Sequence, residues 1–531
     1  MDKQQYKCED RIPLPELGQQ TFSNNVNDNR DLARVGKLPS LQRRFGFLSI
    51  LGFSCTVLAT WEGVLSTFIL PLKNGGSAGA VYTYLFVWFS TLCTLATLSE
   101  LVSMAPTSGG QYHWVAILAP RWCHKFLSFI TAWLVILGWL GAFASGVYMA
   151  SSQIMGFVTI THTAFQPQPY QVMLLYWAYV AFAMFINVGT GRLLPKFEGF
   201  VLILHIAGFF VILIPLSYLG DHVSANEVFG SFNNEGGWPS LGLSLFVGML
   251  GSNFAFTGCD AAIHMTEETR NATVTIPRSI MMSIVLNGSL GFGILLVTLF
   301  NLQDVDHVLN SPTGYPYIQI FLNATGSIPG SIAMASIVPI SGVATASGNL
   351  AAASRMVWSF SRDRGTPWWI LLSKVDSRRI PFYSITAIVI AALLLSLIIL
   401  WSEAVLNAVV SLTVSSLFSS YLIAAALLLY HRLTGGIRHC GDTMLVVNTT
   451  GAPLSWGPFH IPRKWGIATN AFTVCYLTIA VIFSFWPSDV HVNVSSMNWA
   501  IAPTGGTVLF GILYYITHAK GTFTGPVVEV C

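Results

Sequence analysis

Charge is what this chain has least of. Asp, Glu, Lys and Arg make up 9% of its 531 residues, while 53% are hydrophobic; soluble domains carry about 25% charged residues. That scarcity excludes an ordinary water-soluble domain, and a net charge of +3 gives no hold on nucleic acid. A cysteine framework is also missing. The eight cysteines (Cys8, Cys55, Cys93, Cys123, Cys259, Cys440, Cys475 and Cys531) are scattered, mostly inside apolar runs, without metal-ligand spacing. There is no P-loop, nucleophile elbow or metal motif, so the chain is not expected to be an enzyme or to hold a cofactor or metal. The N-terminus lacks the apolar core of a cleavable signal. Residues 1–45 are polar and mixed in charge, which predicts a disordered tail. Cys531 is terminal, so it cannot be the cysteine of a prenylation box.

Long apolar runs are what the chain has in abundance. Twelve are long enough for a bilayer of about 30 Å, near 47–70, 81–104, 126–150, 171–190, 197–219, 240–264, 279–301, 329–354, 381–401, 404–430, 467–486 and 500–517. They predict an all-α integral membrane protein of about twelve spans: a transporter domain over 46–518, a tail before it and another over 519–531. Basic residues alternate between the loops. Arg121, Lys125, Arg192, Lys196, Arg270, Arg278, Arg355, Arg362, Arg364 and Arg432 all fall on one side. Acids such as Asp221, Glu227, Asp304 and Glu403, with Lys73 as the lone cation, fall on the other. The positive-inside rule then places both termini in the cytoplasm. Of four glycosylation sequons, only Asn323 and Asn493 fall outside; Asn271 and Asn448 lie inside.

Two spans are interrupted at matching places. The sixth carries Gly251 and Thr257-Gly258, with Asp260 immediately after, where a carboxylate needs a cavity or a partner. The first carries Thr60-Trp61-Glu62-Gly63 at mid-membrane. Glycine beside a buried acid lets a helix unwind and bare its backbone, and paired breaks in two halves point to a midplane site in an inverted-repeat transporter. The halves run over about 46–220 and 238–430, with two extra helices over 466–518. The expected site is Thr60, Trp61, Glu62, Gly63, Phe256, Thr257, Gly258 and Asp260, with unwinding near Trp61–Gly63 and Thr257–Cys259. Trp61, Phe254 and Phe256 beside the carboxylates suit an ammonium. Trp139 is a weaker pocket residue. His205, ionisable at membrane depth, reads equally well as a structural histidine and stays outside the site.

Three signatures follow in order: Ser99-Glu100-Leu-Val-Ser-Met-Ala-Pro-Thr-Ser-Gly-Gly-Gln-Tyr-His-Trp114, Gly258-Cys-Asp-Ala-Ala-Ile-His-Met-Thr-Glu-Glu-Thr-Arg-Asn-Ala272, and Ala353-Ser-Arg-Met-Val-Trp-Ser-Phe-Ser-Arg-Asp-Arg-Gly365. Together they resemble the fungal amino acid/choline transporter family, which includes GABA and choline permeases, within the amino acid–polyamine–organocation superfamily. The resemblance spans roughly residues 45–520. It implies a leucine-transporter-like five-plus-five inverted repeat with two added helices, and proton-coupled uptake of a small amine or amino acid by alternating access, GABA or choline being examples. The plasma membrane is the implied location, a vacuolar or endosomal membrane the alternative. A substrate-sensing receptor without net flux is the competing reading, and a channel a weaker third.

Two mechanistic expectations complete the reading. Glu267, Glu268 and the arginines after the eighth span, Arg355 first, are placed to form a cytoplasmic gate of acid–base pairs. Glu62 and Asp260 appear together in the interior with no evident basic partner in any span. Repulsion and burial then predict that at least one is protonated near neutral pH. Asp260 is expected to respond to the proton, as an acid stands at the similar place in the related superfamily helix, and Glu62 to contact the amine.

Overall fold

In hydrocarbon a backbone can satisfy its N–H and C=O groups only along itself, so each apolar run becomes a helix. The computed structural model describes residues 31–162, 164–189, 194–400, 405–438, 447–493 and 497–528. Ten helical stretches among them are long and apolar enough to cross a membrane: Phe47–Lys73, Gly76–Met104, His124–Thr161, Pro169–Gly189, Lys196–Leu219, Ala272–Phe300, Ile328–Arg362, Phe382–Leu400, Leu406–Thr434 and Arg463–Ser484. They are spans 1–5 and 7–11. The remaining two expected spans are shorter. Span 6 is Leu241–Ala255 followed, after a turn, by Ala261–His264. Span 12 is Ile501–Tyr514, continued by a π-turn over Tyr515–Ala519. Span 3 is longer than its apolar run suggested: its 38 residues extend about 57 Å.

The order of packing follows a five-plus-five exchange. Span 1 packs on spans 5 and 7, and span 6 packs on spans 10 and 2. Span 3 packs on spans 4, 8 and 10, and span 8 on spans 9, 3 and 5. Each of these contacts of the first five has its counterpart in the second five, as inverted repeats require. Lipid-facing positions are apolar: Ile203, Ile214, Leu394 and Leu509 are exposed in mid-span. Exposed Trp122, Tyr218, Trp368 and Trp465 sit at or beyond span ends, where amphipathic rings meet the headgroups. Hydroxyls within the spans bond back to their own helix, as Ser66 does to the Glu62 carbonyl at 2.7 Å and Thr413 to Val409 at 2.7 Å.

The N-terminal tail departs from expectation over residues 31–45; residues 1–30 lie outside the described residues. Leu32, Val35, Leu41 and Phe45 are buried. Phe45 bridges Thr269, and Arg44 and Phe45 both donate backbone N–H to the Glu268 carbonyl at 2.8 and 3.0 Å. Polar composition hid this docking, because four apolar side chains in fifteen suffice once a surface is there to receive them.

Candidate functional site

Both expected breaks exist, one of them displaced. In span 6 the helix stops at Ala255 and turns through Phe256–Asp260, with Gly258 at φ 102°, a value that favours glycine. In span 1 the break is at Ala59, φ 42° and ψ 47°, and Thr60–Ser66 is helical again. The expected unwinding at Trp61–Gly63 is thus corrected to Ala59: one left-handed residue interrupts the helix just before the polar residues and presents them on the first turn of a new helix. The first N–H groups of that turn lack partners within the helix. Gly63 meets span 6 closely; a Cβ there would stand 3.1 Å from the Ala255 Cα.

A cavity of about 70 Å³ lies at the two breaks, walled by spans 1, 3, 6, 8 and 10. Of the expected residues Glu62, Gly63, Thr257 and Gly258 line it, joined by Ser66, Gln153, Thr345 and Asn349. Thr60, Trp61, Phe256 and Asp260 are not in its wall. Trp61 packs with Leu65, Phe209 and Ile212, its ring 5.6 Å from that of His205. Phe256 packs on Tyr84 at 5.0 Å, and Thr60 faces Gly291 of span 7. Trp139 is buried against His264 at 5.6 Å. A helical period carries neighbouring residues to opposite sides, so nearness in sequence to the break did not mean facing the cavity.

The absence of a basic partner for the acids is also corrected. Glu62 Oε1 and His205 Nδ1 of span 5 are 2.7 Å apart, and both residues are buried. Glu62 Oε2 has no hydrogen-bond partner among the described residues. Asp260 belongs to a separate cluster: Gln111 Nε2 donates to its Oδ2 at 2.8 Å, and His264 Nε2 lies 3.7 Å away, one turn on. His264 Nδ1 in turn bonds the Ser108 carbonyl at 2.9 Å. The two carboxylates therefore have separate partners. Nor are they alone, for Glu198 of span 5 accepts from Thr56, and Glu100 of span 2 pairs with Arg432 of span 10. His205 and Glu198 carried a usable signal, since an ionisable residue inside a span is itself the mark of a partner.

The face bearing the arginines is closed. Arg362 holds Glu267 through two hydrogen bonds, 2.9 and 2.8 Å, and Arg355 Nε donates to Glu268 Oε1 at 2.9 Å. Lys37 reaches Asp363 at 2.6 Å, and the Val527 N–H donates to the same oxygen at 3.0 Å. Burial alone would raise the Glu267 carboxyl, but Arg362 and Lys37 hold it below its ordinary 4.5. For Asp363, Lys37 and Arg362 likewise outweigh burial and hold the carboxyl below 3.8.

A family model described as amino acid permease matches residues 45–510. The chain belongs to the amino acid permease family. This permease is 28% identical over 455 residues to a proposed amino acid/polyamine transporter of Macrophomina phaseolina, covering 85% of this chain and 97% of that one. It is 26% identical over 486 residues to a choline transporter of Saccharomyces cerevisiae (91% and 83% covered). It is also 24% identical over 516 residues to amino-acid permease 2 of Neurospora crassa (95% and 90% covered). The permease is a multi-pass membrane transporter, not an enzyme.

Proposed function

We propose that this permease carries a small ammonium-bearing solute, an amine such as choline or an amino acid such as GABA, by proton-coupled alternating access. The observation that carries the reading is Glu62, which lines a cavity where spans 1 and 6 are both broken and has one carboxylate oxygen without a hydrogen-bond partner among the described residues. A fixed anion attracts the ammonium, and unwound backbone supplies partners for the polar remainder. The names of the fungal relatives, which span choline and amino acid/polyamine transport, agree with that chemistry. On this reading the arginine-bearing face is cytoplasmic, and the plasma membrane is the place of action. The pairs Glu267–Arg362 and Glu268–Arg355 are the inner gate, shut here. Asp260 is the coupling acid, for its cluster joins the inner half of span 6 to the Gln111–Leu118 helix after span 2.

Uptake of radiolabelled choline, GABA and amino acids in a permease-deficient yeast tests the proposal. Saturable, concentrative accumulation of one of them is expected, abolished when the proton gradient is collapsed. Asp260→Asn should retain exchange and lose pH-driven accumulation. Binding without accumulation would establish the receptor reading instead.

A further inference from the structure

We infer that His205 governs the charge of the cavity, so that a proton on its imidazole and a cation at Glu62 exclude one another. This deepens the transporter reading and rests on it. Glu62 is the one ionisable side chain among the residues lining the cavity; the other polar ones are neutral hydroxyls and amides. Its Oε1 is occupied by His205 Nδ1 at 2.7 Å, and its Oε2 has no hydrogen-bond partner among the described residues. His205 stands behind it, outside the cavity wall, its Nε2 without a partner among the described residues.

The other acid on span 5, Glu198, lies two turns before His205 and accepts from Thr56 of span 1. Within span 1 the neighbouring titratable group is the Cys55 thiol, hydrogen-bonded to Asn287 of span 7. Trp61 covers the imidazole ring. Spans 3, 6, 8 and 10 contribute Gln153, Thr257, Thr345, Asn349 and Thr413, none ionisable. Histidine is the side chain that gains and loses a proton within the physiological range. With a neutral imidazole the pair is a monoanion, and an ammonium at the Glu62 carboxylate completes it. With an imidazolium the pair is already neutral, and an arriving ammonium must share one carboxylate with a second cation in a low dielectric. Nδ1–H stays on Glu62 in both states, so the proton exchanged for the cation is the one on Nε2, released to water. The substrate class is therefore one with an ammonium or quaternary ammonium at this end. Acid should weaken its binding even while a proton elsewhere, at Asp260, drives accumulation.

The test is the KM for choline and for GABA between about pH 5 and pH 7.5, in cells expressing the full-length chain. One-for-one competition raises the wild-type KM toward about tenfold per pH unit on the acid side. His205→Asn keeps a donor for Glu62 but cannot ionise; it should hold the neutral-pH KM within about twofold and flatten the acid rise. An acid rise unchanged in that variant overturns the inference while transport stands. If the variant does not reach the surface, His205→Gln and a second measurement decide: choline added to purified wild-type protein in weak buffer should release a proton, and silence overturns the inference. Wild type that takes up neither probe nor any amine of a wider panel overturns the transporter reading itself, a different failure.

Discussion

Two adjacent residues, Trp61 and Glu62, both reach His205, but only Glu62 lines the cavity, so they should fail differently. Glu62 lines the cavity, and a charged hydrogen bond contributes about 1.5–3 kcal/mol. Glu62→Gln should therefore raise the KM of a cationic substrate about 10- to 100-fold with the protein still at the surface. Trp61 is fully buried among Leu65, Phe209 and Ile212, and its deletion leaves a cavity. Trp61→Ala should lower stability by about 3–5 kcal/mol, read as a fall in the thermal unfolding temperature of purified protein. A selective affinity loss at wild-type stability would put the indole back in the substrate site. Sequence identified both residues as important but could not tell their directions apart, because one helical step separates a cavity wall from a packed core.

At the scale of the element, the broken span 6 depends on a single backbone angle. Gly258 at φ 102° permits the turn between Ala255 and Ala261, and any side chain there is strained. Gly258→Val should cost about 1–3 kcal/mol and abolish transport. Gly199→Ala in span 5, where an added Cβ meets nothing within 4 Å, should be tolerated. Equal damage from the two, in uptake and in thermal unfolding, would remove the special status of the span 6 turn. This break was legible beforehand because glycine beside an acid is rare in hydrocarbon. The break in span 1 was misplaced because Ala59 adopts a left-handed conformation that its side chain does not advertise.

Over the whole molecule, the closed arginine face gathers segments distant in the chain. Lys37 meets Asp363 across 326 positions, and Arg362 meets Glu267 across 95. Glu267 and Asp363 are both held below their ordinary values, 4.5 and 3.8. The stability they contribute is complete above those values and is lost as pH falls through the depressed ones. Thermal stability of the purified protein should thus be flat from about pH 7 to about pH 5 and fall below about pH 4. Arg362→Ala takes the guanidinium from Glu267 and leaves burial to raise its carboxyl, so it should lower stability at neutral pH and make the acid fall shallower. An acid limb that superimposes on wild type would show that the pair does not hold this face.

Hydrophobic length and the spacing of glycine and acid were enough, from the sequence by itself, to give the membrane spans, the two interrupted ones and the acids beside their breaks. Those properties act locally: a run of apolar residues must become a helix in lipid whatever it packs against. Tertiary structure alone decided the partners. His205 lies 143 positions from Glu62, Gln111 149 from Asp260, and Arg432 332 from Glu100. A buried charge calls for a partner, but many polar groups in the spans meet that need equally well on paper. Which one answers depends on how the helices are rotated and crossed, and that is settled by packing summed over the bundle rather than by any residue read alone.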